Sequence, residues 1–222
     1  MKLLVIGDSF GYGEELPGVD HYDPRTGKLN PGTNAWPSVL GKMIGAEVLN
    51  LSIPAGSNDR IFRLAIDNSI KEHYDIVICA WTEMPRLDLV YRGNDFPITI
   101  RSTLLKDLVH LKNYFVDYYN DRQSCQKWLA QLITLQNHFK YTGQRYLFTS
   151  MNQAWDAFVD KLDIEYLINQ IDTTYYIGWP NQGLTTWMGD CPKGPGGHPL
   201  ELGHQRIAEH INEYIRNLGW IS

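Results

Sequence analysis

The sequence predicts an α/β protein, a three-layer α/β/α sandwich around a central parallel sheet. Two observations carry the prediction. Short unbroken apolar runs, such as Leu3 to Ile6, are what strands buried on both faces look like. These runs alternate along the chain with segments of helical periodicity, the pattern of a parallel sheet covered by crossover helices.

The elements follow in order. Leu3-Leu-Val-Ile6, closed by Gly7, is the first strand. Residues 10–35 are rich in Gly, Pro, Asp and Asn and read as a long loop, of the kind that forms a lid, a binding surface or a disordered stretch. Val48 to Leu51 is a second short strand. Ser57 to Glu72 is a helix, with Ser57, Asn58 and Asp59 available as caps and Ile61, Phe62, Ala65, Ile66 and Ile70 on one side. Asp75 to Trp81 is a third strand, and Tyr146 to Thr149 a fourth. Segment 84–143 is longer than a simple crossover needs. With helical patterns over 104–119 and 123–141, it reads as a helical insertion that caps the cleft. The clearest helix is 200–218, where Ile207, Ile211, Ile215 and Leu218 recur at helical spacing. Pro199 suits its first turn and Gly219 its end.

The chain has 222 residues, which fits one domain, 1–222, carrying that insertion. The formal net charge of −5, without a basic run, argues against a nucleic-acid partner. No apolar stretch is long enough to span a membrane, and Lys2 with four apolar residues is too short for a signal peptide. Three cysteines, Cys79, Cys125 and Cys191, suggest neither a disulfide framework nor a Cys-x-x-Cys metal site. A cytoplasmic location is expected, with association with a virion or export without a cleaved signal as the alternatives. Thirteen Tyr and seven Trp are many, and Tyr12, Tyr22, Trp36, Trp81, Trp179 and Trp187 fall in or beside loops. They either pack the core and its loops or form a surface for carbohydrate.

Ser9 is placed where the first strand ends, at the edge of the sheet where open α/β folds bind ligands. A serine needs a base to take its proton and donors to hold the oxyanion that forms on attack. The base is His198, in Gly194-Pro-Gly-Gly-His198-Pro-Leu-Glu-Leu-Gly-His204, on a glycine-rich loop before the last helix. His204 is expected to fix that loop and helix. His198, His204 and His210 are spaced by six and share no helix face, so no metal site is expected.

Val5-Ile-Gly-Asp-Ser9 resembles the first sequence block of the GDSL/SGNH hydrolases, and His198-Pro-x-x-x-Gly-His204 resembles their last. The resemblance implies a flavodoxin-like sandwich and ester hydrolysis without a cofactor. Ser9 is then the acyl-accepting nucleophile and His198 the base. In Asn50-Leu-Ser-Ile-Pro-Ala-Gly56-Ser-Asn58, Gly56 falls on the block that donates an oxyanion amide beside that of Ser9. The family's Gly-x-Asn-Asp is replaced by Ala80-Trp-Thr-Glu83, which puts Thr82 at the side-chain donor position. The acid usually three residues before the histidine is replaced by Pro195. Asp190 is then a possible third member, or a carbonyl from Lys193–Pro195 orients the imidazole. Asn58, Trp81, Glu83 and Arg86 are the expected substrate contacts, although Glu83 and Arg86 could instead pair with each other. The expected substrate is a small-molecule or glycan ester, an acetyl ester of a sugar first. Two other readings fit the same residues. One is a binding or structural protein that keeps the fold, for instance in a viral assembly. The other is an acyltransferase using the same serine.

Overall fold

A computed structural model describes residues 1–20, 22–23, 26–91, 94–98, 113–152 and 163–221. Four parallel strands form the central sheet: β1 (Lys2–Ile6), β2 (Glu47–Asn50), β3 (Ile76–Trp81) and β6 (Tyr146–Ser150), in the order β2-β1-β3-β6. Register runs Leu4 against Leu49 and Val77, and Cys79 against Phe148. A parallel bridge from Phe148 to Tyr176 extends the edge beyond β6.

Alternation along the strands sorts the core into two layers. Leu3, Val5, Ile76, Ile78 and Leu147 face α2 (Trp36–Ile44) and the last helix, α7 (Glu201–Asn217), which contributes Ile207, Ile211 and Ile215. Leu4, Ile6, Val77, Cys79, Trp81 and Phe148 face α3 (Asn58–Lys71) and α4 (Asp121–Thr142). The chain leaves β1 to one side for β2 and returns past it to β3. The carboxyl end of β1 is therefore the topological switch point, where crossovers diverge and leave a crevice.

Two expectations are corrected here. Helix α4 is no capping insertion: Cys125, Trp128, Leu129, Leu132, Leu135 and Phe139 form an apolar stripe buried against the sheet, so α4 is the β3–β6 crossover itself. Segment 84–98 carries an antiparallel hairpin, β4 (Leu87–Tyr91) with β5 (Asn94–Ile98), rather than helix. The helix expected over 104–119 lies mostly outside the described residues, and its far end, Tyr114–Tyr118, is a π-helical turn. The residues between, 10–35, hold a one-turn helix α1 (Ser9–Tyr12) at their start. Tyr12, Trp36 and Trp81 are buried, so packing accounts for them. Short helices α5 (Glu165–Ile168) and α6 (Leu184–Trp187) precede α7. No helix among the described residues is long and apolar enough to cross a membrane. The three cysteines are free and buried.

Candidate active site

The loop that carries Ser9 is set by capping. Asp8 stands at the N-cap of α1 in extended conformation, and its carboxylate accepts the Phe10 N–H at 3.0 Å. Ser9 is the first residue of the turn and is nearly buried. Gly13 closes the turn at φ +82°, a left-handed conformation that suits glycine. The chain then reverses into Glu14 and Glu15.

Ser9 Oγ lies 2.9 Å from His198 Nε2, although 189 residues separate them. The other ring nitrogen, Nδ1, is 3.0 Å from a Glu15 carboxylate oxygen. A carboxylate at that distance holds the proton on Nδ1 and leaves the Nε2 lone pair facing Ser9. The same carboxylate accepts the backbone N–H groups of Gly196 at 2.5 Å and His198 at 3.0 Å. Burial pushes the Glu15 carboxyl up, but these backbone donors and the imidazole outweigh it and hold it below its ordinary range. Glu15 adopts φ +70°. That costs a non-glycine residue about 1–2 kcal/mol, which the three charge-assisted hydrogen bonds offset.

The loop that carries His198 is a tight hairpin. Lys193 bridges Pro199, and the Gly194 N–H donates to the His198 carbonyl at 2.9 Å. Gly194 is required by proximity: a Cβ there would stand 2.7 Å from Glu15 side-chain atoms. Gly194→Ala is expected to displace the carboxylate and lower turnover about a hundredfold. An unchanged melting temperature with full turnover would refute this. The imidazole also rests against Phe10, ring centroids 5.7 Å apart. A second carboxylate oxygen, of Glu14, lies 3.5 Å from Nε2.

Sequence reasoning missed Glu15 and offered Asp190 or a backbone carbonyl in its place. Asp190 is exposed, and the Nδ1 position that it was to fill is taken by Glu15. The carbonyl alternative is displaced for the same reason. The signal available was the glycine-rich 194–197 run, which allows another chain segment to approach closely.

The expected oxyanion donors are differently engaged. The Gly56 N–H donates to the Ile53 carbonyl at 3.1 Å and closes a turn. The Thr82 hydroxyl donates to Asp8 at 2.7 Å. The Ser9 N–H is the one of the three without a hydrogen-bond partner among the described residues.

Asn58, Trp81, Glu83 and Arg86, the expected substrate contacts, are each engaged within the protein, Glu83 and Arg86 with each other. Asn58 spends both ends of its amide on the Thr82 backbone, at 2.9 and 3.1 Å. Trp81 points into the helix layer, edge-on to Trp128 and Phe148. Arg86 reaches the fully buried Asp8 at 3.1 Å and Glu83 at 3.3 Å. A buried carboxylate without a cation would be costly, so Arg86 locks the 82–86 turn onto the residue preceding Ser9. Among the described residues, no group of three or more His, Cys, Asp or Glu is arranged to hold a metal ion.

His204 lies in the core beneath the hairpin and accepts the Trp36 N–H on Nδ1 at 3.1 Å. Burial, with a smaller contribution from His198, lowers its pKa to about 4. The folded state resists a proton that the unfolded chain takes up near pH 6.5. The stabilisation is therefore complete above about pH 6.5 and lost as pH falls towards 4, by about 3 kcal/mol. Urea melts at neutral and acid pH should show that loss in the wild type and a smaller one in His204→Asn, which keeps an acceptor for Trp36. Equal losses would refute the assignment.

A model of a family of unknown function, DUF6071, matches residues 14–222. The chain belongs to DUF6071. Curated protein sequences give this DUF6071 member no match. Solved structures do. An esterase, EstA, from Pseudoalteromonas sp., determined with monoethylphosphonate as inhibitor, aligns with a TM-score of 0.57 at 10% identity, over 98% of the DUF6071 chain and 97% of its own. A protein from Desulfitobacterium hafniense, classed as lipolytic and of the G-D-S-L family, aligns with a TM-score of 0.52 at 13% identity, over 96% and 98%. An acetyl xylan esterase from Butyrivibrio proteoclasticus aligns with a TM-score of 0.56 at 15% identity, over 99% of the DUF6071 chain. The DUF6071 chain spans 65% of that enzyme's length. The likeness is one of fold: this DUF6071 chain has the SGNH-hydrolase-like α/β/α sandwich.

Proposed function

We propose that the chain is a serine-dependent ester hydrolase working through an acyl-enzyme on Ser9. The observation that carries the reading is the continuous relay from Ser9 Oγ through His198 to Glu15, at 2.9 and 3.0 Å. His198 Nε2 takes the Ser9 proton as Oγ bonds to the ester carbonyl carbon. The carbonyl electron pair moves onto oxygen, beside the Ser9 N–H. Glu15 holds the imidazolium in place and, with Glu14, offsets its charge. The imidazolium then gives its proton to the leaving alcohol oxygen as the carbon–oxygen bond breaks. Water repeats the sequence, releasing the carboxylic acid and restoring Ser9.

Each missing oxyanion donor costs about 10²–10³ in rate. With the Gly56 and Thr82 donors occupied, an unactivated ester turns over slowly unless substrate draws one of them away. A short acyl group, acetyl first, on a carbohydrate alcohol is the reading supported by the likeness in fold to an acetyl xylan esterase. The occupied donors also favour a second reading, a binding protein that keeps the fold without chemistry. Intact mass after incubation with a fluorophosphonate separates the two. The esterase gives a single adduct that is absent from Ser9→Ala, and well-folded protein with no adduct would leave the binding reading.

A further inference from the structure

A cleft of about 620 Å³ opens between the start of α3, the turn after β3 and α4, and is tied to the Ser9 loop by Arg86, which pairs with Asp8. Its inner wall includes Asn58 and Arg86, the side chains that brace Thr82 and Asp8. Helix α4 and the segment preceding it form the outer wall. We infer that this cleft binds a neutral oligosaccharide, the alcohol side of the ester.

The lining combines aromatic rings with polar side chains. Tyr114 and Tyr118 present exposed rings, 36% and 73% accessible, and Trp128 lies at the base. The same lining holds Asp59, with Lys127 at 2.6 Å and Gln131 at 2.7 Å. Sugar rings have an apolar C–H face that fits an aromatic plane and a rim of hydroxyls that both donate and accept. Carboxylate and amide groups answer those hydroxyls. The volume is in the usual ~300–1,000 Å³ range of small-ligand sites.

Charge narrows the ligand class. Lys127 is neutralised by Asp59, and Arg86 by Asp8 and Glu83. An anionic ligand would have to compete with these carboxylates for both cations, whereas a neutral polyol need displace neither. A fatty acyl chain would bury Asp59, Lys127 and Gln131 against methylenes, which is unfavourable.

The inference rests on the esterase reading for its chemistry, but binding needs no reactive serine. The test is calorimetric titration of xylohexaose, cellohexaose and mannohexaose into wild type and Ser9→Ala, with decanoate as the competing probe. One hexasaccharide should bind both proteins, and Tyr118→Ala and Gln131→Ala should each weaken it at least about tenfold. Tyr118 is too exposed for its truncation to disturb the core. No saccharide binding at millimolar concentration, binding unaffected by both substitutions, or decanoate alone taking the cleft would each overturn the inference. A fluorophosphonate adduct without saccharide binding defeats the cleft alone. Saccharide binding without an adduct supports the cleft and defeats the esterase reading.

Discussion

Ser9→Ala is expected to lower kcat on p-nitrophenyl acetate by about 10⁴- to 10⁶-fold, with an unchanged circular dichroism spectrum. The substitution removes one oxygen from a nearly buried position and leaves α1, its Asp8 cap and the apolar run behind it intact. The lower end of that range is favoured by the engaged Gly56 and Thr82 donors. A wild type that starts with fewer free oxyanion donors has less rate to lose. In free energy the fall is about 5–8 kcal/mol of transition-state stabilisation. Turnover surviving within tenfold would eliminate the covalent mechanism.

Glu15→Gln is the second large effect, about 10³–10⁴ in kcat with little change in KM. The amide keeps the shape but has a single acceptor oxygen, so it keeps the Gly196 N–H and gives up the His198 N–H, which shares its carboxylate oxygen with Nδ1. It also loses charge, and its NH₂ can donate to Nδ1. That places the imidazole proton on Nε2, against the Ser9 hydroxyl, where no lone pair remains to act as base. Asp190→Asn, at an exposed carboxylate remote from Nδ1, should leave kcat within about twofold, since surface changes are mild. Were Asp190→Asn the damaging substitution and Glu15→Gln the silent one, the triad would have to be redrawn.

The ends of the chain were the legible part. An unbroken apolar run into Gly-Asp-Ser and a strongly periodic last helix after a glycine-rich loop leave few ways to fold. They place Ser9 and His198 at one sheet edge. Helix α2 was not read because it is nine residues long and sits at the end of a Gly/Pro/Asn-rich stretch, with Pro37 in its first turn. The hairpin was missed because Pro97 argues against a strand in its second arm. Trp81 illustrates a different failure. Its place at a strand end suggested ligand contact, yet period-two alternation with Cys79 and Val77 sends it into the helix layer. Glu15 could not be located by spacing. Its partner lies 183 residues away, and the glycine-rich 194–197 run marks a close approach without saying which segment makes it.

The connectivity of the proposed Ser9–His198–Glu15 relay sets the order in which turnover is expected to return on folding. Ser9 and Glu15 precede His198 by 189 and 183 residues, so their contacts close a very long loop. Loop-closure entropy grows with that length and is offset only when β1 and α7 are both in place. Neither half of the polypeptide can contain a working relay, however well its own strands pair. Recovery of turnover during refolding should therefore trail the return of secondary structure. It serves as a clock for the final docking of the two chain ends, a step of long sequence separation and correspondingly slow.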